Sequence, residues 1–296
     1  MMKSIYSGVS GLRNHQVKMD VIGNNIANVN TSGYKSQRTT FRDLFYQTTS
    51  SPSEGSGNMG GTNASQVGYG SKIGSIDTIN TIAGYSPTDK ATDLYISGEG
   101  YFAIQNASGE KMYTRLGALN FDSQGNLVDV NGSKVIGWDN DGDNSIKTNA
   151  SGAIDTSSLA NAVTDVTKYG AITINNFDDY KNITINNDGS ISAIDKNTDK
   201  IVTIGLIPVV SVPNPDALVA EGNSYYSEGN NSGTPTYEIP GTKSTGALVT
   251  GGLEMSNVDL AKEFSDMIIT QRGFQANSKI ISVADEMLQE LVNLKR

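Results

Sequence analysis

The sequence predicts a multidomain α+β protein in which long N- and C-terminal helices pair as a coiled coil and the chain between them forms all-β domains. Apolar residues at helical spacing near both ends predict the helices, and short alternating segments between them predict the strands. The 32 Gly residues suit a β-rich body with many turns, and a hydrophobic content of 36% suffices for modest cores.

The N-terminal helix is predicted from apolar residues spaced four and three positions apart. We interpret them as one seam that packs against other helices. The seam consists of Ile5, Val9, Leu12, Met19 and Ile26. The Asn-, Ser- and Gly-containing run from Asn28 to Gly33 predicts that the helix ends near Asn28. His15 lies beside the seam, and we expect a partly exposed helix residue there rather than a metal ligand.

The C-terminal helix carries a second seam of the same kind. This seam consists of Leu260, Phe264, Met267, Phe274, Ile281, Leu288 and Leu291. Ser256 and Asp259 predict a capping-box start for the helix. Two readings of the paired seams stay open, because the spacing alone does not distinguish contact between chains from a helical hairpin packed within one chain.

The region between the helices changes character along the chain. Gly, Ser and Asn dominate residues 50–71, as in linkers, and the alternating strand pattern begins near Asp93. The turn Asn187-Asp188-Gly189 predicts a hairpin between two strands. The predicted domains are a terminal helical domain of residues 1–32 and 254–296, an extended linker of residues 33–72, a β domain of residues 73–144 and 201–253, and a small outer β domain of residues 145–200.

Charge and residue inventory exclude several classes of function. A net charge of -9 and a pI near 4.7 oppose binding to nucleic acid and to anionic membrane surfaces. No apolar stretch approaches the roughly 20 residues that span a bilayer, and the first residues do not resemble a cleaved signal peptide. With 0 Cys and 1 His, thiol chemistry and Cys/His metal clusters are excluded, and with them most familiar enzyme chemistry.

A glycine pattern suggests a phosphate-binding loop only weakly. Gly55, Gly57 and Gly60 satisfy G-x-G-x-x-G, but Gly61 stands where a phosphate loop needs lysine. Neither a preceding strand nor a following helix is predicted. A flexible loop is therefore the favoured interpretation.

An acidic turn is the second weak motif. Asp139, Asp141 and Asp143 alternate as in calcium-binding loops, but Asn144 replaces the loop glycine and Ala150 replaces the final glutamate. The favoured interpretation is a polar turn, and a weak cation site is the alternative. From a different class, a secreted β-rich protein that binds or hydrolyses carbohydrate could use the same aspartates.

Both ends of the chain resemble the signatures of flagellar rod and hook proteins. The N-terminal resemblance includes Asn24, Asn25, Ala27, Asn28, Gly33, Tyr34 and Lys35, and the C-terminal resemblance includes Ser256, Asn257, Gln271 and Arg272. The segments Gly98-Glu99-Gly100-Tyr101-Phe102 and Tyr113-Thr114-Arg115 are also similar to this family. Tyr34 departs from the usual Phe, and Gly273 stands where Ala is common, which we expect to permit close helix contact.

The resemblance implies a structural subunit, with neither enzymatic activity nor a cofactor, that polymerises into a helical tube with the terminal helices inside and the β domains outside. Of the family members, the ending Leu291-Val292-Asn293-Leu294-Lys295-Arg296 is most similar to hook proteins, and the alternative is a distal rod subunit. The resemblance also implies export by the flagellar type III apparatus to an extracellular hook. The implied partners are further copies of the chain and the rod, hook–filament junction and hook cap proteins.

Overall fold

The computed structural model describes residues 2–55, 60–139, 169–174, 177–196, 199–243 and 245–294. The chain divides into two compact units. The helical unit comprises Met1–Val29, Ser36–Ile79 and Val258–Arg296, and the β unit comprises Asn30–Lys35 and Asn80–Asn257.

The described residues of the helical unit form two long helices and four strands. Its elements are α1 (Met2–Ala27), β1 (Gln37–Asp43), β2 (Tyr46–Ser50), β3 (Ser65–Gly68), β4 (Ser71–Thr78) and α2 (Leu260–Leu294). The predicted end of the first helix near Asn28 is confirmed. The Asn28 side-chain amide donates a 2.9 Å hydrogen bond to the Asn24 carbonyl, which closes the last turn.

The start of α2 differs in detail from the predicted capping box. The Asp259 carboxylate accepts hydrogen bonds from the backbone N–H groups of Ala261 at 2.9 Å and Lys262 at 3.3 Å. Asp259 alone is therefore the N-cap, since a carboxylate satisfies free N–H groups in the first turn and favours the positive end of the helix dipole. Ser256 lies before the helix.

Residues 33–72, which the sequence predicts to be an extended linker, contain regular structure. β1 pairs antiparallel with β4, and β2 pairs antiparallel with β3. Every residue of β2 and β3 is exposed, so neither strand needs the apolar alternation by which a half-buried strand is recognised.

The β unit contains the remaining strands. They are β5 (Tyr85–Pro87), β6 (Leu94–Ser97), β7 (Phe102–Gln105), β8 (Lys111–Thr114), β9 (Leu119–Phe121), β10 (Leu127–Asp129), β11 (Lys134–Asp139), β12 (Gly170–Ala171), β13 (Tyr180–Ile185), β14 (Ser190–Asp195), β15 (Ile201–Leu206), β16 (Val209–Ser211), β17 (Val219–Gly222), β18 (Tyr225–Ser227), β19 (Thr236–Glu238), β20 (Ala247–Thr250) and β21 (Gly252–Glu254). Two 3₁₀ turns, Phe177–Asp179 and Pro215–Ala217, also lie among the described residues of this unit.

An antiparallel sheet of 11 strands dominates the described residues of the β unit. Its main path runs β13-β14-β15-β11-β7-β8-β18-β17, and β9, β10 and β12 join through β10 and β11. The described strands form no closed barrel, so the predicted all-β body takes the form of an open sheet with additional two-stranded ribbons. The predicted hairpin at Gly189 is confirmed between β13 and β14, with the glycine in the left-handed region at φ 83°.

The core of the β unit comes from the predicted alternating residues. Leu94, Phe102 and Ile104 are completely buried. Within the predicted outer domain of residues 145–200, residues 145–168, 175–176 and 197–198 lie outside the described residues. Its described strands β13 and β14 join the large sheet through β15, because β14 pairs with β15 and β15 pairs with β11.

Candidate functional site

The two long helices form a closely packed antiparallel pair. Added Cβ atoms would lie 3.4 Å from Ile281 at Gly8 and 2.7 Å from the Asn277 side chain at Gly11. Farther along, Lys18 and Asp266 form an ion pair of 3.9 Å. Residues later in α1 thus contact residues earlier in α2, so the two helices run in opposite directions.

Small residues permit this approach on both helices. A Cβ on Gly273 would lie 2.7 Å from the imidazole of His15, which agrees with the expectation that Gly273 allows close contact. Thr270 and Ala284 are the buried residues of α2. The contact surface that α2 offers to α1 is therefore built largely from small and polar side chains.

His15 occupies a half-buried position in this contact. Its ring meets Phe41 edge to face, with 6.1 Å between ring centroids. Burial, followed by the nearby charge of Lys18, lowers the pKa of His15 from its ordinary value. Both effects favour the neutral form of the imidazole.

The predicted seam residues fall into two groups. The five on α1 are all half-buried, and so are Met267 and Ile281 on α2. The other five predicted seam residues of α2 are exposed: Leu260, Phe264, Phe274, Leu288 and Leu291. The described chain contains an antiparallel helix pair, whereas a longer coiled coil would require further helices.

More apolar side chains of α2 are exposed than the sequence predicts. Together with those five residues they form the open apolar surface of α2, whose members are between 36% and 82% exposed. The additional members are Ile268, Ile269, Ile280, Val283, Met287, Val292 and Leu294. Doublets such as Ile268-Ile269 were the available signal, because neighbouring helical residues point about 100° apart and cannot share one stripe.

The asparagines after Gly23 hold the end of α1 in place. Asn25 is buried, and its side-chain amide donates to the Gln37 carbonyl at 2.8 Å while its oxygen accepts from the Gln37 N–H at 3.0 Å. The side chain thus pairs with the backbone at the start of β1 as a strand would. The same amide also donates to the Glu263 carboxylate at 3.1 Å. Ala27 is the last residue of α1 and is exposed.

The remaining signature residues divide between the two units. In the β unit, Gly33 has φ 72°, Tyr34 is half-buried, and Asn257 donates to the Thr81 hydroxyl at 3.0 Å. In the helical unit, Gln271 and Arg272 are exposed on α2. The signature residues therefore belong to both units.

A buried charge cluster lies within the β unit, and the sequence analysis did not predict it. Lys35, Glu254 and Arg115 are 2%, 1% and 3% exposed. The Lys35 ammonium donates a 2.7 Å hydrogen bond to Glu254 Oε1, and Arg115 Nε lies 3.1 Å from Glu254 Oε2. Burial lowers the pKa of Lys35 and Glu254 opposes that effect. Lys35 and Glu254 lie 219 positions apart, so no local pattern announces the pair.

The weak ligand motifs receive no support from the described residues. Asp141, Asp143 and Gly57 lie outside the described ranges, as does the side chain of Asp139. Among the described residues, no group of three or more His, Cys, Asp and Glu side chains is placed to hold a metal ion. Neither of the two long helices has the length and apolar character needed to cross a membrane.

Family models match both ends and the middle of the chain. "Flagella basal body rod protein" matches residues 5–35, "Flagellar hook protein FlgE/F/G D1 domain" matches residues 95–193, and "Flagellar basal body rod FlgEFG protein C-terminal" matches residues 249–294. The basal-body rod protein FlgG of Bacillus subtilis is 43% identical over 297 residues, covering 100% of both chains. The chain belongs to the flagellar rod and hook protein family.

Other relatives in the flagellar rod and hook family include both named types. FlgG of Buchnera aphidicola is 33% identical, covering 99% of this chain and 100% of its own. The hook protein FlgE of Borreliella burgdorferi is 29% identical over 443 aligned positions, covering 100% of both chains. The chain is thus a structural protein of the flagellar axis involved in motility, not an enzyme, and proteins of its family polymerise into the axial structure.

Proposed function

We propose that this chain is the distal rod subunit of the flagellar basal body and that the open apolar surface of α2 drives its polymerisation. The surface runs from Leu260 to Leu294. Many exposed apolar side chains along one helix mark a site of contact with other proteins. Further copies of the chain are the occupants that the family assignment favours.

A single contact type suffices to build the tube. When one face of a subunit binds a different face of the next copy, and the repeated rotation does not close into a ring, the contact generates a helix. The helix pair offers two different faces for this purpose, since α2 exposes apolar side chains on both flanks of its contact with α1. We expect the helical unit to line the tube and the β unit to face outward.

The hairpin formed by β2 and β3 supplies a second candidate contact. Its strands pair only with each other among the described residues, and Tyr46 and Val67 are exposed apolar residues on it. An isolated two-stranded ribbon is marginally stable in water. We therefore expect neighbouring subunits to cover the hairpin in the assembled tube and to stiffen it.

Chain length supports the rod assignment. The alignment with the rod protein of Bacillus subtilis needs 297 positions for the 296 residues of this chain. The hook alignment extends over 443 positions, so that hook protein carries large insertions relative to this chain. A subunit without those insertions resembles the rod protein along its whole length.

The hook subunit is the second candidate function. The ending from Leu291 to Arg296 favours it, and the match to a hook protein also covers the whole chain. A hook must bend, and polar outer surfaces would let neighbouring β units slide past one another. Under either assignment we expect export by the type III apparatus and contact with other axial proteins. Under the hook assignment we also expect contact with the hook cap and hook–filament junction proteins and an extracellular position.

Electron microscopy of basal bodies from a deletion strain tests this proposal. A truncated rod would support the rod assignment, whereas a complete rod without a hook would identify the hook subunit. A complete rod and hook would contradict both assignments. Restoration by the wild-type gene, compared with a variant that cannot polymerise, serves as the control.

A further inference from the structure

The Lys35–Glu254–Arg115 cluster lies where segments that connect the two units gather inside the β unit. The chain passes between the units after residues 29, 35, 79 and 257. Lys35 is the last residue before one passage, Thr81 is the second residue after another, and Glu254 lies three residues before the last. At three of the four connections between the units, a nearby residue therefore belongs to the cluster or is hydrogen-bonded to it.

Hydrogen bonds join these segments to one another. The Lys35 ammonium donates to Glu254 Oε1 at 2.7 Å and to the Thr81 carbonyl at 2.8 Å. The backbone N–H of Ala83 donates to Glu254 Oε1 at 3.1 Å, and that of Gly33 donates to the Glu254 carbonyl at 2.9 Å. Each of these segments is thus hydrogen-bonded to Lys35 or to Glu254.

Arg115 connects the gathered segments to the large sheet. It directly follows β8, and its Nε lies 3.1 Å from Glu254 Oε2. Its two terminal nitrogens donate to the Gly100 and Gly98 carbonyls at 2.8 Å each. The guanidinium uses its planar fork to fix the loop before β7 and the carboxylate at once.

Stability alone does not account for such a cluster. Two cations share one carboxylate in a buried place, and apolar residues of similar volume are often as stabilising as a buried ion pair. Charged hydrogen bonds differ from apolar contacts in being short and directional, so they resist sliding of one segment past another. The cluster therefore fixes the relative positions of the segments that it joins.

We propose that Lys35, Glu254 and Arg115 form an anchor that holds the connecting segments in one geometry. In the tube of the proposed function, on which this second step rests, the anchor transmits force between the two units of each subunit. Lys35 and Glu254 are positioning residues in this account.

Hydrogen exchange on the free chain tests the anchor without requiring a tube. Lys35→Met should increase exchange at the Gly33 and Ala83 amides while the β7 amide of Ile104 stays protected. The matched control is Lys181→Met, because Lys181 also lies 2.7 Å from a carboxylate, that of Asp199, but in an exposed pair. Unchanged protection at Gly33 and Ala83, or equal loss at all three amides, would overturn the proposal.

Glu254→Gln gives an independent measure. It leaves two buried cations without their anion, so its urea midpoint, followed by Trp138 fluorescence, should fall further than that of Lys35→Met. The urea midpoint of Lys35→Met should in turn fall further than that of Lys181→Met. The reverse order would mean that the carboxylate does not organise the cluster.

Tube stiffness tests the second step. Tubes of Lys35→Met should have a shorter persistence length in electron micrographs than tubes of wild type or Lys181→Met. Equal stiffness would refute force transmission by the anchor. If the wild-type chain forms no tubes at all, the proposed function fails, while the exchange experiment still decides whether the anchor exists.

Discussion

Replacing Phe264 and Phe274 by Asp should abolish polymerisation while leaving the β unit folded. The two side chains are 50% and 36% exposed in the single chain. Taking roughly 200 Å² for a phenylalanine, about 100 and 70 Å² remain to be covered by neighbouring copies. At about 25 cal/mol per Å², each subunit contact would lose about 4 kcal/mol.

That loss corresponds to a roughly thousandfold weaker association, before the further cost of burying two carboxylates is added. Pelleting and negative-stain microscopy measure assembly. Trp138 is buried and stacks on Tyr169 with 4.6 Å between ring centroids, so its fluorescence reports the β unit.

Two further variants separate apolar contact from charge. Ser265→Asp with Ser282→Asp adds the same two charges at exposed polar positions of α2 and should still assemble. Phe264→Leu with Phe274→Leu keeps most of the apolar surface and should assemble weakly. Normal tubes from the double aspartate variant at Phe264 and Phe274 would refute the assignment of the open apolar surface of α2 to subunit contact.

Three other outcomes concern the helical unit. Gly23→Ala should raise the helical circular dichroism of the free chain by removing about 1 kcal/mol of unfavourable propensity, since nothing lies within 4 Å of the added Cβ, whereas Gly11→Ala should lower it through its clash. Below the ordinary His pKa of about 6.5 the unfolded chain binds more protons than the folded one, because the folded pKa of His15 is lowered. The thermal midpoint of the helical signal should therefore fall more between pH 7 and pH 5 in wild type than in His15→Gln. The raised pKa of Glu263 has the opposite effect on stability, but Glu263 is present in both proteins. Identical pH profiles of the two proteins would contradict the role of His15. Before assembly the open apolar surface of α2 has no partner, so the amides of α2 should exchange faster in a dilute free chain than in tubes. Equal exchange rates in the two states would refute this.

The helices and several strands could be predicted from local pattern. The spacing of apolar residues predicted α1 and α2, and the turn residues Asn187-Asp188-Gly189 predicted the hairpin at Gly189. Residues 33–72 were harder, because β2 and β3 are exposed on both faces and their residues carry no burial pattern. The glycine motif lacked the predicted strand and helix that a phosphate loop needs, and the aspartate motif lacked the glycine and the final glutamate of a calcium loop.

By itself, the sequence determined the family and the two terminal helices, because both depend on which residues follow one another at short range. Only the tertiary structure decided which side of α2 meets α1. Small residues such as Gly11 and Gly273 set the closest approach of the helices, so the bulky apolar side chains stay exposed. The meeting of Lys35 with Glu254 was likewise decided by the path of the chain, since no periodic signal links residues 219 positions apart.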